Sequence, residues 1–181
     1  MDRALTLPLF ARVLGPDAFA ALPPSLRALH SIQGRDTWRG MACIARGTHP
    51  LAAPCAWLAR LPPAAGAVPV QVEFVVEGDG ERWLRRFADH AMPSRMWASG
   101  KVLRERLGPL TFAFVLQARG GEIHWQVSQV RAFGVLPLPP GWFGGVRCRE
   151  RERAGRYEFK VEVALPVIGP FITYEGWLEP R

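Results

Sequence analysis

With 181 residues, 49% of them hydrophobic and 22% charged, the chain has the length and composition of one folded domain and not of a disordered segment. Its net charge of +7 invites a nucleic-acid partner, but only Lys101 and Lys160 among the 23 basic residues are lysines. Arginine-heavy usage of this kind follows from GC-rich coding, and with no basic tail or binding motif a nucleic-acid role is set aside.

Cys43, Cys55 and Cys148 are odd in number, far apart and without a C-x-x-C spacing. That excludes a disulfide framework and a cysteine zinc site and points to a reducing, cytoplasmic compartment. No stretch approaches the ~18 apolar residues of a membrane helix. The apolar run Ala4 to Ala11 is too short for a signal peptide and reads as part of an amphipathic helix.

One domain is expected over 1–181, with a helical N-terminal part over 1–30 and a sheet over 36–178. Leu7, Phe10, Val13 and Leu14 keep helical spacing until Gly15-Pro16, and Asp17 can cap a second turn. A third piece runs from Pro24 through Leu26 and Leu29 to His30. Thr37 to Gly47 reads as a strand. A short helix is expected near 50–61, opened by Pro50 and carrying Leu51, Cys55, Leu58 and Leu61 on one side.

After Pro62-Pro63 the period changes to two. Val70, Val72, Phe74 and Val76 alternate with polar residues, and Asp79-Gly80 signals a two-residue hairpin turn. That turn sets Glu77 opposite Arg82, Val76 opposite Trp83, Phe74 opposite Arg85 and Glu73 opposite Arg86. Arg85 then falls on the apolar face between Trp83 and Phe87, and only a slip that exposes the whole valine stripe would free it.

His90 to Leu107 is ambiguous: Ser94 to Ala98 can continue a strand, and Val102 to Leu107 fits a helical turn closed by Gly108-Pro109. Gly120-Gly121 sets a second hairpin, with Ala118 facing Ile123, Leu116 facing Trp125 and Phe114 facing Val127. Parity breaks past Ser128, which implies a bulge. Gly134 to Gly145 is a long apolar loop, either a packed Ω-like loop or a lid or docking surface anchored by Trp142 and Phe143. Ala154-Gly155 sets a third hairpin before the alternation of Tyr157, Phe159, Val161, Val163 and Leu165. A two-residue turn there points Glu150 and Glu152 inward, and a three-residue turn points Arg149 and Arg151 inward; both readings stay open. A last strand spans Phe171 to Leu178.

The fold class expected is α+β: a strongly bent, mostly antiparallel sheet, partly closed like a barrel, with short N-terminal helices at its mouth. An inward Arg85 needs an anion, and the candidates are Glu150, Glu175 or an acidic ligand. His30, His49, His90 and His124 have no metal-ligand spacing, and G-x-S-x-G, Walker and G-x-G-x-x-G patterns are absent. His30 reads as a structural histidine, and Cys148 has no evident base to activate it. No catalytic residue, cofactor or metal is therefore expected.

The segments LPPSLRALH (Leu22–His30), WLRRF (Trp83–Phe87), RERLGP (Arg104–Pro109), FGVLPLP (Phe133–Pro139) and YEFKVEVALPVIGPFITYEGWL (Tyr157–Leu178) resemble the bacterial domain of unknown function family 4166. The resemblance covers nearly the whole chain. Members occur alone or fused behind NAD(P)-binding domains similar to saccharopine dehydrogenase, which implies an oxidoreductase partner that here would be a separate protein.

Two functions follow. The first is noncatalytic binding of an apolar or lipid-like acidic small molecule in an internal pocket. Arg85, Trp83, Phe87, Glu150, Tyr157, Phe159, Trp142 and Phe143 are its candidate binding residues. The second is an accessory module that docks to an NAD(P)-dependent oxidoreductase through Leu136–Phe143.

Overall fold

The change of hydrophobic period after Pro63 becomes, in the computed structural model, a change from short helices to long strands. Residues 7–181 are described, with the side chain of Leu58 left aside; the start of the apolar run, Ala4 to Thr6, lies outside them. Three helices come first: α1 (Leu9–Leu14), α2 (Pro16–Ala20) and α3 (Pro24–His30). Strand β1 (Arg35–Arg46) is followed by α4 (Ala52–Leu58), β2 (Ala65–Glu77), β3 (Gly80–Phe87), β4 (His90–Ser99) and β5 (Val102–Leu107). The chain continues through β6 (Leu110–Arg119), β7 (Glu122–Ala132), the short β8 (Leu136–Leu138), a 3₁₀ turn (Pro140–Phe143), β9 (Gly145–Arg153), β10 (Arg156–Leu165) and β11 (Gly169–Pro180).

The sheet is not partly but fully closed. Its order is β6-β5-β4-β3-β2-β1-β11-β10-β9-β7, and β6 pairs back onto β7, so ten strands form a ring with β8 appended to β7. Closure through β1 and β11 joins Trp38 to Pro180 and Arg46 to Ile172, contacts between opposite ends of the chain that no local pattern announces. Every neighbouring pair is antiparallel, so turns alternate between the two ends of the barrel. One end carries the turns at 78–79, 100–101, 120–121 and 154–155 and is covered by α1 to α3. The other end is a rim formed by 47–64, 88–89, 108–109, 133–144 and 166–168.

The second and third hairpins have the registers expected from their turns: Leu116 pairs with Trp125, and Phe159 with Glu150. The expected bulge lies at Ser128, where pairing steps from Phe114↔Val127 to Ala113↔Gln129. Ala154 and Gly155 both have positive φ, 50° and 76°, as a two-residue type I′ turn requires, which selects the inward Glu150 and Glu152.

The first hairpin turns one residue earlier than expected. Glu77 pairs with Gly80 and the turn is Gly78-Asp79, with Gly78 at φ 62° in the position a type II′ turn gives to glycine. Phe74 therefore faces Trp83, with ring centroids 4.8 Å apart, and Val72 faces Arg85. Pairing moves by two residues, so the inner face is unchanged and Arg85 stays on it. Arg82 keeps Glu77 at 2.9 Å, whereas Glu73 reaches Arg35 of β1 instead of Arg86.

Val102–Leu107 is a strand and not a helical turn. Leu103 and Glu105 are buried on its inner face while Arg106 is exposed. The helix expected from Pro50 is shorter, Ala52–Leu58, and Pro54 fits because its missing N–H falls in the first turn.

Gly176 is one of the points where the closure of β1 on β11 brings backbones too close for a side chain. A Cβ there would overlap the Met41 carbonyl oxygen, lie 2.9 Å from Ala42 Cα and touch the Phe159 ring at 3.0 Å. Gly176→Ala should destabilise by roughly 1–3 kcal/mol or more, as overpacking does, in urea unfolding. An unchanged midpoint would contradict the β1–β11 closure.

Candidate functional site

Inside the barrel the alternation that builds the core also brings ionisable groups inward, and each inward charge has an answer. At the helix-covered end, α1 and α3 carry their apolar faces into the opening. Phe10 is fully buried and stacks on His30 at 3.6 Å, with Trp125 at 5.6 Å and Trp83 at 6.1 Å. Glu152, one of the two glutamates turned inward on β9, accepts the Ser25 backbone N–H at 2.8 Å and so holds the start of α3.

Below this layer, His30 Nε2 and Glu150 Oε2 are 2.6 Å apart with both side chains nearly excluded from solvent. His30 is thus a paired core histidine, although its Nδ1 has no partner. Tyr157 lies beside Glu150; burial, followed by that carboxylate, holds its phenol well above the usual range. Nearer the covered end, Glu81 accepts the Trp83 indole N–H at 2.8 Å. Burial pushes the Glu81 carboxyl up, while the Trp83 hydrogen bond and then His30 and Arg12 pull it back.

Arg85 occupies the middle of the lumen. Its anion is Glu105, at 3.1 Å from Nη1, and not Glu150 or Glu175 as the sequence suggested. The same Nη1 donates to Ser94 Oγ at 2.8 Å, and the guanidinium lies 4.8 Å from the Trp83 ring centroid. The two charged side chains are only 13% and 11% exposed. Burial works against the arginine charge, but Glu105, Tyr174 and Tyr157 outweigh it and leave the pKa raised. Burial raises the Tyr174 phenol and the Cys148 thiol as well, and the nearby Glu105 and Glu150 push Cys148 further. Cys148 therefore stays a thiol, without the thiolate character of a nucleophile.

These groups surround a cavity of about 60 Å³. Of the residues singled out from the sequence, Arg85, Trp83, Phe87, Glu150, Tyr157 and Phe159 all line it. Trp142 and Phe143 do not. The 3₁₀ turn sends them opposite ways: Phe143 is buried near Phe112, with centroids 6.0 Å apart, and Trp142 stays half exposed. Glu105, Tyr174 and Trp125 also line the cavity and were missed. A strand reading of Val102–Leu107 would have found Glu105, because alternation puts it on the inner face with Leu103 and Leu107. Outside, Arg151–Glu158 at 2.9 Å and Lys160–Glu162 at 3.1 Å make the charged face of β9 and β10 an ordinary solvated one. Among the described residues no cluster of three His, Cys, Asp or Glu side chains suits a metal ion, and no helix is long and apolar enough to cross a membrane.

Comparison with known proteins gives a family and a distant structural likeness. The family described as "Domain of unknown function (DUF4166)" matches residues 22–178. Among solved structures, the crystal structure of Rv2717c from M. tuberculosis is similar at 13% identity with a TM-score of 0.44, covering 88% of this chain and 99% of that one. No protein of curated function matches.

Two stability predictions follow from the lumen. Arg85→Met or Glu105→Met alone should cost about 3–5 kcal/mol, because each leaves a buried charge unpaired, while the double variant should regain most of it. Simply additive losses in a double-mutant cycle would contradict the pairing. For Glu81 the raised native pKa means that the folded state holds the proton more tightly than the unfolded chain. The stability this confers is complete below the unfolded value of about 4.3 and is lost as pH rises through the native value. Glu81→Gln should remove that downward slope from the stability–pH curve and be at least as stable as wild type at neutral pH.

Proposed function

The chain belongs to the DUF4166 family, and we propose that it is a single noncatalytic binding domain whose lumen holds the head of a small apolar acid against Arg85. One observation carries this reading. The guanidinium spends only Nη1 on protein partners and lies in the wall of a cavity otherwise faced by groups such as Val72, Phe87, Phe159 and Tyr174. Its Nε–Nη2 edge is left for an acceptor in that space.

Size and charge narrow the ligand. A volume of about 60 Å³ is well below the ~150 Å³ that accepts benzene, so the cavity takes a short-chain acid of about five heavy atoms and not a long acyl chain. Glu105 already neutralises Arg85, and Glu150 adds a further carboxylate. The occupant that brings no uncompensated charge is the neutral acid, its carbonyl accepting from Arg85 and its hydroxyl donating to a lumen carboxylate. A thiol held protonated at Cys148 and phenols held protonated at Tyr157 and Tyr174 favour binding over nucleophilic chemistry. Three unpaired thiols suit the reducing cytoplasm. The second reading, an accessory module for a separate NAD(P)-dependent oxidoreductase, is favoured by the exposed Leu136 and Trp142, though not by the buried Phe143.

Titrating the protein with acetic to octanoic acid, and following thermal stability and tryptophan emission, tests the proposal. Short acids should bind, with apparent affinity rising about tenfold per pH unit as pH falls towards 5, the linkage expected for a neutral ligand. Longer acids and the Arg85→Met protein should not respond. No response to any short acid, or an equal response from Arg85→Met, would sink the reading.

A further inference from the structure

The uncovered rim presents large apolar side chains that the fold does not bury. Phe133 is 75% exposed, Val135 78% and Leu136 57%, with Trp142 beside them at 51%. Val167, in the 166–168 turn, is 88% exposed and Trp57, on α4, 81%. Strand order places their loops side by side, since α4 joins β1 to β2, 166–168 joins β10 to β11, and 133–144 joins β7 to β9, along the neighbours β2-β1-β11-β10-β9-β7. The apolar tips thus occupy one continuous arc of the rim.

Backbone geometry shows that these tips are not there for the fold. Phe133 has φ 52° and Val167 φ 68°, left-handed values that a bulky or β-branched residue adopts only at a cost. Neither side chain recovers that cost by burial, and glycine would fit both positions better.

We propose that this arc docks on a lipid surface carrying anionic headgroups. Charge complementarity selects that occupant. The loops 47–64, 133–144 and 166–168 contain no Asp or Glu, Asp89 in the adjoining 88–89 turn being the one acid of the rim loops, while Arg60 stands exposed at the end of α4 and Arg147 at the start of β9. The acid nearest the arc on β10, Glu162, is tied to Lys160 at 3.1 Å. Apolar tips that enter the headgroup boundary beside arginines gain from burial and from electrostatic attraction together, and tryptophan is suited to that boundary. A protein partner adding a strand is discouraged, because Pro137 within β8 and Pro139 after it lack the N–H groups that such an edge would offer. Separate projecting tips also suit a deformable medium better than a shaped groove would. This docking is independent of what the lumen binds.

Co-sedimentation of the full chain with vesicles of phosphatidylcholine alone, or mixed with phosphatidylglycerol, tests it. Wild type should pellet with the anionic vesicles, and less so as salt is raised. Phe133→Gly/Val167→Gly, which relieves both strained positions, should melt no lower than wild type yet bind roughly tenfold more weakly. Wild type remaining in solution with both vesicle types would overturn the proposal, and so would equal binding by the double variant. A dimer or a complex with another protein that this variant loses, without vesicle binding, would overturn it in favour of that partner.

Discussion

A barrel of ten strands is too wide for its own side chains to fill. Eight strands leave an interior that strand-borne side chains just occupy, and the diameter grows with each further strand. Closing β6 onto β7 and β1 onto β11 therefore creates a volume that something else must take up. At one end the N-terminal helices do so with Phe10 and His30. In the middle, long ionisable side chains do so, and each must then be paired, because an isolated charge in that environment costs several kcal/mol. Arg85 with Glu105, and His30 with Glu150, meet that requirement.

The pairing also decides what chemistry the lumen can support. Burial, helped by the nearby carboxylates, raises the Cys148 thiol and the Tyr157 and Tyr174 phenols and so favours their protonated forms. What remains is a small space lined by apolar side chains together with Arg85, Glu105 and Glu150, which is where the proposed ligand would sit. The rim offers the reverse arrangement, apolar groups facing outward with arginines around them. Lumen and rim are thus two different surfaces of one scaffold, and variants can address each without disturbing the other.

Much of this was legible in the sequence because period-two alternation fixes faces even where it does not fix register. The first hairpin is the instructive case: the turn moved to Gly78-Asp79, yet a two-residue change of pairing preserves parity, so Arg85 was correctly placed inside. Glu105 was lost for a local reason, since six residues reading Val-Leu-Arg-Glu-Arg-Leu fit one helical turn as well as a short strand. The partner of Glu150 was lost for a non-local one. His30 lies 120 residues from Glu150, and only closure of the ring, itself invisible to local patterning, brings α3 over β9. Trp142 and Phe143 show the limit of composition: adjacent aromatics looked like a joint anchor, but the 3₁₀ turn buries one and exposes the other.

If the helices fill the barrel as part of one core, they cannot open alone. Native-state hydrogen exchange tests this most directly, by comparing the amides of α1 and α3 with those of β3 and β9 across a denaturant series. The account predicts that the two sets converge on the same opening free energy, that of global unfolding. Helical amides that exchange through a separate opening, several kcal/mol lower and insensitive to denaturant, would contradict it, because the barrel would then be stable without its filling.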